Sequence, residues 1–237
     1  MFSLPHILFI IFTAFFVPIY CRYLKKTDEA HIDNFFKVSS FAAIFFAVID
    51  WVWEYHLTGH INPATSLPLY LCSLFWMVLP IGVFSRSPLV KRIALSNAAT
   101  TGLLGGILGI VFNVYLSQYP FLNFIPIRSL LYHFIMVLVS SALLITGYYR
   151  PKPGDEYISF IPFCMIMIPS LVLNHLYGWD YLYTAGGRGT VLTTFSSAMP
   201  RPMFLICLWG LFWFTIKIVF YRKKVFSASV QDANQMT

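Results

Sequence analysis

Acidic residues are scarce in this chain of 237 residues: nine Asp and Glu stand against sixteen Lys and Arg, and all charged residues together make up 11%. With 58% apolar residues, that leaves too little charge to cover an ordinary water-facing surface. Cysteine is rare too. Cys21, Cys72, Cys164 and Cys207 have no CxxC spacing, which argues against both a disulfide framework and a zinc knuckle and predicts free thiols. No phosphate-binding glycine motif occurs in a strand-to-helix context, so the reading calls for no cofactor: no nucleotide, haem or flavin. No basic residue precedes the first apolar run and no small-residue cleavage site follows it, so that run is expected to stay in the protein.

Long apolar stretches are what the chain has. They run over Leu4–Tyr20, Phe35–Leu57, Leu67–Phe84, Ile93–Leu116, Phe124–Tyr149, Tyr157–Gly178 and Met199–Tyr221. Each has roughly the length that a helix rising ~1.5 Å per residue needs to cross a ~30 Å hydrocarbon core. The expected fold is therefore all-α: a polytopic membrane protein with a bundle of seven transmembrane helices. Residues 1–224 are expected to form one transmembrane domain and Val225–Thr237 a disordered cytoplasmic tail.

The basic residues set the expected orientation. Arg22, Lys25, Lys26 and Lys37 flank the first connection, Arg86, Lys91 and Arg92 the third, Arg150 and Lys152 the fifth, and Arg222, Lys223 and Lys224 the tail. The opposite side holds only Arg128, Arg188 and Arg201, and Lys217 sits near enough to a span end to snorkel. The positive-inside rule then predicts the N-terminus outside and the C-terminus in the cytoplasm of a multi-pass protein of the cell membrane. The net charge of +7 is accounted for by these helix ends and by anionic lipid, so the expected partners are membrane lipids and not nucleic acid.

That topology sends the remaining polar residues to the outer half of the membrane. Span two leaves with Asp50 and Glu54, span three enters with Tyr70 and Cys72, span four leaves with Asn113, span five enters with Arg128 and His133, and span six leaves with Asn174 and His175. Ionisable groups cost at least ~2.5–3.5 kcal/mol on a lipid-facing helix centre, so they should turn inward as a site or as pairs that hold helices in register. Thr101, Gly105, Gly109 and Asn113 recur every four residues, a spacing that lets a neighbouring helix approach closely. Tryptophan and tyrosine near span ends, including Trp51 and Trp53, read as interfacial anchors. His56 and His60 are four apart, but Gly59 and Asn62-Pro63 end the helix there, so no metal site is expected. The connection Trp179–Ala198, with Gly186, Gly187 and Gly189, has the composition of a lid or cap.

An ordered set of motifs carries a family resemblance: Leu67-Pro68-Leu69-Tyr70-Leu71-Cys72 at the start of a span, His133 in a later one, and Asn174 followed by Trp179-Asp180-Tyr181-Leu182-Tyr183. Over roughly Leu67 to Tyr221 the chain resembles the YwaF-like bacterial integral membrane proteins, which belong with the eukaryotic transmembrane protein 164 group. The resemblance implies a phospholipid acyltransferase that works through a cysteine and a histidine, with Cys72 as nucleophile and His133 as its base. If the chain works in that way, Asn113, Asn174 or Tyr183 is expected to supply oxyanion donors, and the topology places Asp50, Glu54, Tyr70, Arg128 and Asp180 on the same side of the membrane. Tyr70 stands where bacterial relatives carry histidine, and Leu69 where the eukaryotic cysteine follows the proline. The residues leave two alternatives open. One is a non-enzymatic lipid or small-molecule binding or transport protein built on Asp50, Glu54, Arg128 and His133; the other is a scaffold in which the same residues only order helices.

Overall fold

The structure is a computed structural model that describes residues 2–187, 190 and 192–220. The expected tail, Arg222, Lys223, Lys224 and Arg188 lie outside the described residues. Every regular element among the described residues is helical. In chain order they are α1 (Leu4–Leu24), α2 (Glu29–Thr58), α3 (Pro63–Ser66), α4 (Leu71–Phe84), α5 (Pro88–Val111), α6 (Tyr115–Gln118), α7 (Phe124–Ile145), α8 (Asp155–Ile158), α9 (Ile161–Tyr177), the 3₁₀ turn η1 (Tyr181–Tyr183), α10 (Leu192–Ser197) and α11 (Arg201–Phe220). Among the described residues, six helical segments are long and apolar enough to cross a membrane. The protein is thus a multi-pass membrane protein in contact with lipid.

The third apolar stretch behaves differently. Sequence places one span over Leu67–Phe84, but α4 starts only at Leu71 and has 14 residues. Leu67 and Tyr70 have extended backbone, and Pro68 lacks the amide that would continue a helix from α3. At ~1.5 Å per residue α4 reaches only ~21 Å, short of a ~30 Å core. Other helix ends follow their local chemistry. Asp28 caps α2 by accepting from the His31 amide at 2.7 Å, and Gly59 closes it with a left-handed φ of 73°. Pro162, one of the prolines expected to bend a span, instead opens α9, where its missing amide costs nothing. Pro18, Pro80 and Pro169 do lie inside helices.

The core is the contact of α5 with α7 and α4, with α2 packed on α4 and α7, and α1 on α7. In lipid no hydrophobic gradient drives helices together, so close backbone approach and cross-helix hydrogen bonds have to do it. Glycines permit the approach. A Cβ on Gly102 would meet Phe75 at 2.8 Å and Ser140 at 2.9 Å, and one on Gly106 would meet Val137 at 2.9 Å. The bonds are Ser140 Oγ to the Ala98 carbonyl at 2.6 Å, Asn97 Nδ2 to the Ser159 carbonyl at 2.7 Å, and His6 Nε2 to the Ile110 carbonyl at 2.8 Å. The last one ties the start of α1 to the end of α5, which brings the N-terminus to the same end of the bundle as the extended segment before α4.

The opposite end of the bundle departs from expectation. Sequence gives it flanking bases and nothing else ionisable of consequence, yet Asp155 is fully buried there. Its carboxylate accepts from Arg92 Nε at 2.6 Å, from the Tyr149 hydroxyl at 2.7 Å and from the Lys152 amide at 3.0 Å. Arg92 is therefore a structural ion-pair partner as well as a topology signal. Burial, followed by the neighbouring Asp33 carboxylate, pushes the nearby Tyr148 hydroxyl up to about 12.

Candidate functional site

A cavity of about 120 Å³ opens where α2, α4 and α7 meet the extended segment. From α2 it takes Phe46, Asp50 and Trp51, and from the α3 region Thr65 and Ser66. From the segment leading into α4 it takes Pro68 and Tyr70, from α4 Cys72 and Trp76, from α6 Tyr115, and from α7 Arg128, Ser129, Tyr132 and His133. Five residues singled out from sequence therefore line one chamber: Asp50, Tyr70, Cys72, Arg128 and His133. Non-helical backbone at membrane depth is tolerated where it is buried or lines a cavity, and the stretch containing Pro68 and Tyr70 does so.

His133 is held in one tautomer. Its Nδ1 lies 2.7 Å from the Ser129 carbonyl, an oxygen that can only accept, so Nδ1 carries the proton. In the neutral ring Nε2 is then an acceptor, and it makes no hydrogen bond among the described residues. Gly109 is the reason the ring fits: a Cβ there would collide with the imidazole itself. The small-residue stripe on α5 thus serves the site as well as packing. Asn113 Nδ2 donates to Ser129 Oγ at 3.0 Å, and the Asn113 carbonyl caps the Tyr115 amide at 3.2 Å. Asn113 is spent on positioning and does not line the cavity.

Cys72 sits in the first turn of α4, where it lines the chamber as a free thiol. Its backbone carbonyl accepts from the Tyr132 hydroxyl at 2.8 Å, which fastens α4 to α7 beside His133. Arg128 NH2 pairs with Asp50 Oδ1 at 2.9 Å. Arg128 Nε is buried without a hydrogen-bond partner. The hydroxyls of Tyr70 and Tyr115 also make no hydrogen bond among the described residues, so the cavity wall holds unused donors.

The other expected site residues form a frame around the chamber. Glu54 accepts from the Asn62 amide at 3.1 Å and from Ser66 Oγ, which folds the α2–α4 connection back on itself. Asn174 gives both amide protons away, to the Tyr181 carbonyl at 2.8 Å and Thr184 Oγ1 at 2.7 Å, and accepts from the Tyr181 amide at 2.9 Å. It holds a turn in which Leu182 and Tyr183 take φ of 54° and 58°, a conformation that bulky residues rarely adopt. Tyr181 then donates to the Pro63 carbonyl and accepts from the Leu67 amide at 3.1 Å, so this turn clamps the extended segment. Burial raises the hydroxyls of Tyr181 and Tyr183 above the ordinary tyrosine range and keeps both protonated. Asp180 accepts from the Ala185 amide at 2.8 Å within the same turn. Asn174 and Tyr183 thus belong to a clamp that borders the chamber, where the Tyr183 ring lies against Tyr70 with ring centres 6.1 Å apart.

Sequence reasoning missed Tyr115, Trp76, Thr65 and Ser66, and it read Trp51 as an interfacial anchor. Trp51 instead donates from Nε1 to the Ser66 carbonyl at 2.9 Å and stands edge-on to Trp76, with ring centres 6.0 Å apart. The one signal for it was position, since it follows Asp50 directly. His56 and His60 stay exposed, and His60 Nδ1 bonds locally to the Thr58 carbonyl at 3.0 Å.

No curated protein and no solved structure matches the chain significantly. The family assignment therefore rests on the sequence pattern as a whole, from α1 through α11 and not only from the motif at Leu67 onward. A family model described as the TMEM164 family matches residues 1–220, and the chain belongs to that family.

Proposed function

We propose that this protein is a membrane-embedded acyltransferase or esterase acting on ester-linked membrane lipids, with Cys72 as nucleophile and His133 as its base. One observation carries the reading: Cys72 and His133 line the same chamber, and the Nδ1 bond to the Ser129 carbonyl leaves Nε2 free to accept a proton. In the first step Nε2 takes the thiol proton while Sγ attacks the ester carbonyl carbon. The tetrahedral oxyanion collapses, the ester C–O bond breaks, and the departing alcohol takes the proton back from His133, leaving a thioester on Cys72. In the second step His133 deprotonates the hydroxyl of an acceptor lipid, or water, which attacks the thioester and restores the thiol. The free hydroxyls of Tyr70 and Tyr115 are the donors closest in kind to what the oxyanion needs.

The topology belongs to the same proposal: seven crossings with the N-terminus outside, so that the chamber opens in the outer-leaflet half. The extended residues before α4, at up to ~3.3 Å each, add the depth that its 14 helical residues lack. The grouping with YwaF-like bacterial proteins and a location in the cell membrane are part of it as well.

The test compares lipid profiles of membranes carrying wild-type, Cys72→Ala and His133→Ala protein, together with intact-mass analysis for a hydroxylamine-sensitive acyl adduct. Acyl-chain redistribution and an adduct seen with wild type and lost in Cys72→Ala are expected. Identical lipid profiles from all three folded proteins would sink the enzyme and leave the lipid-binding alternative, which the Asp50–Arg128 pair favours.

A further inference from the structure

A second cavity, a groove of about 390 Å³, lies between α1, α5 and α7 and runs from Ile10 and Val111 to Pro18 and Ser141. It shares no lining residue with the chamber. The close seam of α5 on α7 keeps the two apart, since a Cβ on Gly106 would meet Val137 at 2.9 Å and the His133 carbonyl at 3.1 Å. A ligand in the groove is therefore not the chain that reacts at Cys72. Two ties bracket the opening: His6 Nε2 on the Ile110 carbonyl at 2.8 Å and Cys21 Sγ on the Leu138 carbonyl at 3.7 Å. Between them α1 stands off its neighbours. Protein interiors hold few voids larger than a water, so an opening of this size between two ties is room for a ligand.

Among the described residues no charged side chain lines the groove, and its walls are stiff. Val17, Ile107, Ile110, Val111 and Val137 are β-branched, and Pro18 is a ring. Two polar groups sit together toward one end. Pro18 has no amide to give the Ala14 carbonyl, which loses its helical donor. The Ser141 hydroxyl makes no hydrogen bond among the described residues, whereas Thr13 spends its own on the Phe9 carbonyl at 2.9 Å. Pro18 lies ~9 Å from the end of α1 and Ser141 ~6 Å from the end of α7, which puts both near a boundary of the hydrocarbon core. A carbonyl only accepts and a hydroxyl does both, so one ligand hydroxyl can donate to Ala14 and accept from Ser141. An ester carbonyl could meet Ser141 but would leave Ala14 without a donor.

We infer that the α1–α5–α7 groove binds a rigid polycyclic lipid of the sterol class, its rings against the β-branched walls and its one hydroxyl between the Ala14 carbonyl and Ser141. The rim residues Ala14 and Ile107 are exposed on apolar spanning helices, so the groove opens to hydrocarbon and is filled from the membrane. Stiff walls favour a stiff occupant, which has no chain rotamers to lose on binding. The volume lies within the ~300–1,000 Å³ usual for small-molecule sites. Val137 is one turn from His133 on α7, so a filled groove braces the helix that carries the imidazole. The site needs only the membrane assignment and is independent of the acyl-transfer reading.

The experiment measures binding and needs no turnover. Purified full-length protein in detergent is titrated with tritiated cholesterol, and unlabelled cholesterol, cholesteryl acetate and oleyl alcohol compete. Saturable binding is expected, with cholesteryl acetate about 10-fold weaker because its blocked oxygen cannot donate, and oleyl alcohol about 10-fold weaker because its chain must be ordered. Ser141→Ala, and Pro18→Ala, which returns an amide to the Ala14 carbonyl, should each weaken cholesterol about 3- to 10-fold. Ala14→Phe fills the groove from an exposed position and should abolish saturable binding; Ile107→Phe does the same if that variant does not fold. No saturable binding by wild type, or binding unchanged in both Ala14→Phe and Ile107→Phe, overturns the site. Cholesteryl acetate competing as well as cholesterol overturns the hydroxyl contact, and oleyl alcohol competing as well overturns the ring class. Cys72→Ala should bind cholesterol like wild type, so this claim and the enzyme fail separately.

Discussion

The two ends of the bundle treat an Arg–Asp pair in opposite ways. At one end Asp155 is fully buried and Arg92, Tyr149 and the Lys152 amide all donate to its carboxylate. At the other, Asp50 receives a single contact from Arg128, whose Nε is left without a partner in the wall of a cavity. A saturated polar network gives rigidity and has no valence left for a ligand. An unsaturated one keeps donors and acceptors for something else, at a cost in stability. The same residue types thus act as glue at one end and as a candidate site at the other, and hydrogen-bond saturation tells them apart.

The sharpest way to break that contrast is to compare activity and stability for each end. His133→Ala should lower acyl transfer by roughly 10²–10⁴-fold, the range for losing a positioned general base, with little change in thermal unfolding measured by fluorescence-detected size exclusion. Asp155→Asn should do the reverse: it removes the negative charge opposite Arg92 and turns one accepting oxygen into a donor, and should cost about 2–4 kcal/mol of stability while each folded molecule stays active. If Asp155→Asn abolished turnover in a protein that stayed folded, the division between the ends would be wrong.

Two smaller changes probe the frame around the chamber. Gly109→Ala puts a methyl group into the His133 ring and should cost about 1–3 kcal/mol, with activity falling more than stability because the imidazole has to tilt. Asn174→Ala leaves the Tyr181 amide and Thr184 hydroxyl without their partner. About 1–3 kcal/mol should be lost, and proteolytic nicking should appear first in the connection after α9.

The smallest effect lies at the saturated end and depends on pH. The Tyr148 hydroxyl, raised to about 12 by burial and by Asp33, is held protonated in the folded protein. Its contribution is fully present below the unfolded value near ~10 and fades as pH rises through about 12. Thermal stability of the wild type should therefore decline across that window, and Tyr148→Phe should flatten this part of the decline. An unchanged slope in Tyr148→Phe would assign the decline to other groups.

Several of these features were readable in the chain. The apolar runs show where helix must form, and the end of α2 at Gly59 follows from Gly59 and Asn62-Pro63. Asp50, Tyr70, Cys72, Arg128 and His133 could be nominated because ionisable or reactive groups near mid-membrane need company. Other features were not readable. Tyr115 and Trp76 look like ordinary aromatic residues of an apolar segment, and nothing local distinguishes Trp51, which lines the chamber, from Trp53, which stacks on Phe124 with ring centres 4.1 Å apart. Asp155 follows a basic loop and looks solvated until Tyr149 and Arg92 are seen to close over it. Asn113 and Asn174 were nominated as polar groups of the site, and their bonds run to the protein's own Ser129, Tyr115, Tyr181 and Thr184.

The sequence by itself determined the class of molecule and the order of its helices. Hydrocarbon cannot hydrogen-bond a backbone, so a long apolar run has almost no choice but to coil. Which polar groups remain unsatisfied was decided only in the tertiary structure. Each residue turns ~100° around its helix, so whether Arg128 Nε meets a partner depends on how α7 is rotated against α2 and α4. That rotation is set by contacts between helices far apart in the chain, such as the Tyr132–Cys72 bond and the seat that Gly109 makes for His133.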